Sequence, residues 1–286
     1  MKFLDVKTDF AFKKVFGSIE NKSLLIQFLN SIIEFKNNQK ISDLTIEDPY
    51  NIPMLKGMKD SFVDVKAVLE NGEKVIIEMQ VLNHKGFEKR VLYNAAKNYS
   101  VQLSSSENYE LLNPVIALSI LDFEMFPESD TYINSFKLLE KEKFISYSDD
   151  IELIFVELPK FTKNLEQVKS IQDKWIYFIK NAGSLELQPK NWNPEFDTAF
   201  TTINEANLSL KELEIQHKRK EFIYIRKSSI ELATESGIEK GEKMGIEKGE
   251  KNKALEIAKN LIAQNIDTSI IIISTGLTEK EIENLR

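Results

Sequence analysis

The alternation of apolar and polar positions divides the chain into recognisable pieces. Across residues 10–35 apolar side chains recur at helical spacing: Phe12, Val15, Phe16 and Ile19, then Leu24, Leu25, Phe28, Leu29 and Ile32. Gly17-Ser18 interrupts the run, and Ser18 or Asn21 can cap its second half. A loop with Pro49 and Pro53 follows. Two alternating segments, 62–69 and 74–81, flank Asn71-Gly72, which is a β-hairpin signal. A helix is expected over 87–103, with Val91, Leu92, Ala95, Ala96 and Tyr99 on one stripe. Apolar runs at 114–121 and 151–158 have strand length, and their β-branched content favours a buried sheet. Further helices are expected over 164–181, 197–214 and 215–235.

The hairpin's register carries the most information. Val63, Val65, Ala67 and Leu69 share one face of the first strand, with Asp64 and Lys66 on the other. In the second strand Val75, Ile77 and Met79 alternate with Ile76, Glu78 and Gln80. A two-residue turn would pair Glu70 with Glu73 and put Val63 and Val65 on the face of Glu78. A three-residue loop, Glu70-Asn71-Gly72, with Gly72 left-handed in a G1 bulge, instead pairs Leu69 with Glu73. The odd-numbered apolar residues of both strands then share a face. Because a slip of one residue flips every side chain, the hydrophobic pattern selects this second arrangement.

Asp64 then stands directly opposite Glu78. Opposed side chains have Cβ atoms about 4.5–5.5 Å apart, where like charges repel. One resolution is a cation between them: a hard divalent ion such as Mg²⁺ accepts carboxylates and a backbone carbonyl, here that of Met79. The other is an exposed sheet face on which Lys66 relieves the repulsion. Two such carboxylates also suit a retaining glycosidase, but no aromatic sugar platform is evident near the hairpin.

Composition narrows the setting. The 286 residues are 42% hydrophobic, enough for one large domain and a small appendage, and lack cysteine, which excludes disulfides and thiolate chemistry. No run approaches the roughly 18 apolar residues that cross a bilayer, and Met1-Lys2-Phe3-Leu4-Asp5 turns polar too soon for a signal peptide. A cytoplasmic protein without membrane association is expected. The net charge of −7 argues against coating nucleic acid, though bound metal supplies positive charge locally. Arginine occurs only at 90, 219, 226 and 286, so base-specific bidentate contacts are few. His84 and His217 belong to no metal-spacing motif, and the basic stretch 217–220 with Arg226-Lys227 reads as a solvated face or a phosphate contact. Neither a P-loop nor a G-x-S-x-G motif is present.

Gly237, Gly241, Gly245 and Gly249 then recur every fourth residue. Each glycine costs a helix about 1 kcal/mol relative to alanine, so the repeat suits either a solvated linker or a close helix–helix contact. Helical periodicity resumes at Ala254, Leu255, Ala258, Leu261 and Ile262. Gly276 can end a second helix, and Thr278 with Glu281 forms a capping box for a third. The last element is acidic, which suits a partner-binding or dimerisation module better than a DNA-reading helix.

Phe62-Val63-Asp64 followed by Val75 to Gln80 resembles the D…ExK core of PD-(D/E)XK nucleases. Several blocks, in order, are similar to the recombination-promoting nuclease/transposase family. They are the stretch from Asp9 to Phe16, Ile77 to Gln80, Phe87 to Arg90 with Tyr93 and Tyr99, Glu157 to Phe161, the glycine repeat, and Thr275 to Thr278. The resemblance implies an α/β (α+β) restriction-endonuclease-like core, αβββαβ, with a mixed sheet flanked by helices over 1–235. The repeat (236–252) and a small helical module (253–286) would follow. It implies Mg²⁺, or Mn²⁺, held by Asp64, Glu78 and the Met79 carbonyl, with Asp9 ordering water or metal. Catalysis would rest on Asp64, Glu78 and Gln80, and Lys13, Lys66 and Arg90 would touch DNA phosphates. Gln80 stands where the superfamily has lysine, so activity is slow, borrows another lysine such as Lys66, or is lost. The expected function is a metal-dependent DNA endonuclease of low sequence preference linked to recombination or mobile DNA. The alternative is a weak nuclease fold serving as a homo-oligomeric interaction protein through the repeat and C-terminal helices.

Overall fold

The N-terminal apolar run folds as two helices, α1 (Asp9–Phe16) and α2 (Lys22–Ile32), divided at Gly17-Ser18 as its pattern predicts. Thr8 caps α1 by accepting from the Ala11 N–H, and Ser18 caps the intervening 3₁₀ turn. A computed structural model describes residues 2–35, 37, 39–51, 61–104 and 106–286, so Pro53 of the expected loop lies outside the described residues. The chain divides into two units, Met1–Ile223 and Tyr224–Arg286.

In the first unit the strands are β1 (Leu44–Glu47), β2 (Tyr50–Asn51), β3 (Ser61–Phe62), β4 (Val65–Leu69), β5 (Lys74–Gln80), β6 (Val115–Leu121), β7 (Ile133–Leu139) and β8 (Ser146–Glu157). Among the described residues β1, β4, β5, β6, β8 and β7 form one sheet in that order, and β2 and β3 a separate ribbon. β1, β4 and β5 are antiparallel neighbours, β6 and β8 run parallel to β5, and β7 returns antiparallel at the edge. The crossover from β5 to β6 is α3 (Phe87–Ser100), which packs Phe87, Val91 and Ala95 over Ile76, Ala117 and Phe155. On the opposite face α1, α2, α4 (Ile171–Asn181) and α5 (Pro194–Ile203) gather Phe12, Phe16, Phe28, Phe178 and Phe196 around the buried Trp175. This is the expected αβββαβ core, a mixed sheet flanked by helices.

Several elements differ from the sequence reading. β1 and β7 carry little alternating pattern, and β7 is largely exposed, so neither announced itself. The helix expected from 164 begins only at Ile171, capped by Ser170. That expected over 197–214 stops at Ile203, where the backbone turns extended at Asn204. The one expected over 215–235 starts at Leu210 and continues to Ala263 as α6, helical through all four repeat glycines.

In the second unit α7 (Thr268–Thr275) and α8 (Glu279–Glu283) close with the end of α6 on Ala258, Ile271, Leu277 and Ile282. Gly276 ends α7 with φ 67°, and Thr278 and Glu281 form the predicted capping box. Among the described residues no helix is long and apolar enough to cross a membrane.

A Cβ added at Gly237, Gly241, Gly245 or Gly249 meets no atom within 4 Å. Gly241→Ala is therefore expected to stabilise the helix by about 0.5–1 kcal/mol, read by urea unfolding of the full chain. A loss of stability would mean that another surface packs on the glycine face in solution.

Candidate active site

The hairpin settles into the three-residue loop. Val65 pairs with Ile77 and Lys66 with Ile76. The Leu69 N–H donates to the Glu73 carbonyl at 2.8 Å, and the Gly72 N–H donates to the Leu69 carbonyl at 2.9 Å. Gly72 has φ 88°, and a Cβ there would lie 2.5 Å from Asn113 Oδ1, so both conformation and space require glycine. The paired register ends at Val65 and Ile77 and does not continue to the expected Asp64–Glu78 pair: Asp64 donates its N–H to the Ile77 carbonyl at 2.9 Å, and its carboxylate is still close enough to Glu78 to act on its charge.

At that point the ladder stops. The Asp64 carboxylate turns back and accepts the Met79 N–H at 2.8 Å, doing the work of a strand residue with its side chain. Val63 consequently leaves the odd-numbered face on which it was expected and joins Ile76, Phe87 and Val91 beneath α3. In this register the odd-numbered residues of β5 direct their backbone groups toward β4, which aims the Met79 carbonyl to the Asp64 side.

Each carboxylate meets a cation from a different helix. Lys13 Nζ of α1 lies 3.2 Å from Asp64 Oδ1. Arg90 of α3 pairs with Glu78 Oε1 and donates to Gln80 Oε1 at 2.6 Å. The Gln80 amide is also engaged at its other end, donating to the Leu82 carbonyl at 2.6 Å. The Asp64 and Glu78 side chains are only 13% and 14% exposed. Burial raises both pKa values. That of Glu78 reaches about 7, pulled down by Arg90 and pushed up by Asp64. For Asp64 the rise is opposed by the Met79 N–H and by Lys13, and Asp9 adds repulsion.

These shifts make the pair destabilising to the fold itself. The unfolded Glu78 ionises near 4.5 and the folded one near 7, so the two states differ in bound protons between those values. Stability falls as pH rises through that window, and the full penalty, on the order of 3 kcal/mol, stands above it. Glu78→Gln is therefore expected to be more stable than the parent at pH 8 in EDTA and indistinguishable at pH 4.5. Equal unfolding midpoints at both pH values would refute the raised pKa.

The remaining predicted residues divide. Asp9, the first residue of α1, pairs with Arg219 of α6 at 3.3 Å and is close enough to Asp64 to act on its charge. Lys66 turns away to Glu47 of β1 at 3.2 Å, so it does not relieve the repulsion between Asp64 and Glu78; Lys13 and Arg90 do. His84 packs its ring edge-on to Phe87, at 5.8 Å. In the basic stretch Arg219 is held by Asp9 and Lys218 by Glu214. Sequence reasoning missed Lys7 and Asp122, paired at 3.4 Å where Asp122 donates its N–H to the Gln80 carbonyl.

Among the described residues no three acidic or histidine side chains converge as a ready-made metal cage. The donors present are two desolvated carboxylates and the Met79 carbonyl, all hard oxygens, and each carboxylate already has a cationic neighbour. That chemistry fits a divalent ion completed by water or substrate oxygens, as magnesium prefers.

A family model described as PD-(D/E)XK nuclease family transposase matches residues 6–233. No curated protein and no solved structure matches the chain.

Proposed function

The chain belongs to the PD-(D/E)XK nuclease family transposases, and from that premise we propose that it is a cytoplasmic, metal-dependent DNA endonuclease of low sequence preference, acting in recombination or on mobile DNA. The observation that carries this reading is the carboxylate pair Asp64 and Glu78, both largely buried where the β4–β5 ladder ends, with a cation poised on each. Asp64, Glu78 and the Met79 carbonyl would hold Mg²⁺ or Mn²⁺, with Asp9 ordering water at the α1 side. When bound, such an ion supplies charge stabilisation at the phosphate and a water of lowered pKa.

The chain's own residues do the rest. Lys13 and Arg90 hold the two carboxylates in place and, once relieved of them, are free to bind phosphate oxygens; the guanidinium does so bidentately. Arg90 supplies the positive charge that Gln80 lacks, because its guanidinium bridges Glu78 and Gln80. Gln80 in turn acts by orienting Arg90. Lys66 is a weaker candidate for that charge, being committed to Glu47. Scarce arginine and a net charge of −7 leave little capacity for reading bases, which favours cleavage governed by DNA shape or ends.

The test is nicking of supercoiled plasmid by the purified full chain. Nicking is expected with Mg²⁺ or Mn²⁺ and absent in EDTA. A second reading, a weak nuclease fold serving as a homo-oligomeric interaction protein, is favoured by the Gln80 amide being occupied at both ends. It would be preferred if no metal supports nicking and the protein sediments as a stable oligomer.

A further inference from the structure

α3 buries an unusual stripe. Arg90, Asn94, Asn98 and Gln102 follow one another at helical spacing along the side of α3 and its continuation. Asn94 and Asn98 are each only 1% exposed. The Asn98 amide is tied to the Asn94 carbonyl at 2.8 Å, and Gln102 clasps the Asn113 backbone through both its ends. Asn94 differs: its Oδ1 and Nδ2 are both buried without a hydrogen-bond partner. Leaving a buried polar group unpaired costs about 1–3 kcal/mol, so an amide idle at both ends needs a reason.

The reason lies in what it faces. Asn94 lines a cavity of about 10 Å³ together with Glu78, Ser119, Val63, Ile76 and Val91. Ser119 is the β6 residue paired in register with Glu78 and is itself buried. Glu78, Ser119 and Asn94 therefore converge on one small space under α3, and its volume is that of a single water, which needs two to four polar partners.

We propose that Asn94 is a positioning residue for Glu78, acting through one internal water held between the Asn94 amide, Ser119 and the Glu78 carboxyl. The water accepts from Asn94 Nδ2 and donates to the carboxylate, which fixes the Glu78 rotamer from beneath while Arg90 holds Oε1 from the side. When Arg90 lets go, the carboxylate keeps its place. The inference rests on the nuclease reading for its purpose and for the metal-bound part of its test, but not for the metal-free part.

That test has a metal-free part and a metal-bound part. Unfolding constants in EDTA at pH 8 are compared for the parent, Asn94→Leu, Glu78→Gln and the double variant. The leucine fills similar volume and cannot hold the water. The effects are expected to be non-additive by about fivefold or more, as for groups sharing one hydrogen-bond network. Mn²⁺ binding, followed by electron paramagnetic resonance of the free ion, is expected to weaken by about 10–100-fold in Asn94→Leu. Asn94→Ser, which keeps a donor and admits the water, should stay within about threefold of the parent. Additive unfolding effects, or Mn²⁺ that binds the parent and Asn94→Leu equally tightly, overturn the inference; absence of binding to both is a separate outcome. If the unfolding effects are non-additive but the parent binds no Mn²⁺, the link between Asn94 and Glu78 stands and the nuclease reading falls.

Discussion

Asp64→Ala is expected to lose Mg²⁺-dependent nicking by about 10³-fold or more, equivalent to about 4 kcal/mol of transition-state stabilisation. The size follows from two roles carried by one side chain. Its charge is half of the carboxylate pair, and its Oδ2 is the acceptor for the Met79 N–H. Alanine removes both and leaves a strand N–H unpaired, which alone costs about 1–3 kcal/mol of stability. Asp64→Asn separates the roles, because the amide oxygen still accepts the Met79 N–H while the charge is gone. The asparagine variant should be inactive yet at least as stable as the parent, and the alanine variant inactive and less stable. Plasmid nicking beside urea unfolding reads both. If either variant nicks at the parental rate, the catalytic site is elsewhere.

Glu157→Ala is the substitution expected to damage the fold most, by about 3–5 kcal/mol. Glu157 ends β8 with no exposure at all. Its Oε1 accepts the Met125 and Phe126 N–H groups at 2.5 and 3.1 Å, and its Oε2 accepts from Asn134 Nδ2 at 3.0 Å and Lys160 Nζ at 2.9 Å. Lys160 spends its other hydrogens on the Phe126 and Ser129 carbonyls at 2.6 and 2.7 Å. Removing the carboxylate strands a buried ammonium and frees the loop that leads from β6 to β7. Glu157→Ala combined with Lys160→Met should cost less than the sum of the two single changes, since the pair acts as one network. A loss under about 1 kcal/mol in urea unfolding would show that the loop does not depend on this clasp.

The core strands and the hairpin register were legible because parity is a strong signal: one register buries the odd residues of β4 and β5, the other does not. Caps were legible for the same local reason, as with Gly276 and Thr278. The α3 face was not. The apolar pattern puts Leu92 and Ala96 on its buried stripe, yet Leu92 is 52% exposed and Ala96 is also outside, while Asn94 and Asn98 are inside. Hydrophobicity cannot point to a face whose buried positions are partly amides. The partners of the site were equally hidden: that Lys66 answers to Glu47, Lys13 to Asp64 and Arg90 to Glu78 depends on how helices pack on the sheet. An edge strand such as β7, exposed and with an irregular register, leaves no periodic trace at all.

The loop at Gly72 stores one bit of information, odd or even, and the site reads it. Asn71 is the mirror point of the hairpin, with Asp64 seven residues before it and Glu78 seven after. Because those counts are equal, the ladder that ends at Val65 and Ile77 leaves both carboxylates at the same end of the hairpin. Inserting or deleting one residue at the turn would leave every side chain of the site in the chain and dissolve the pair. A position with no chemistry of its own thus keeps the address of the chemistry.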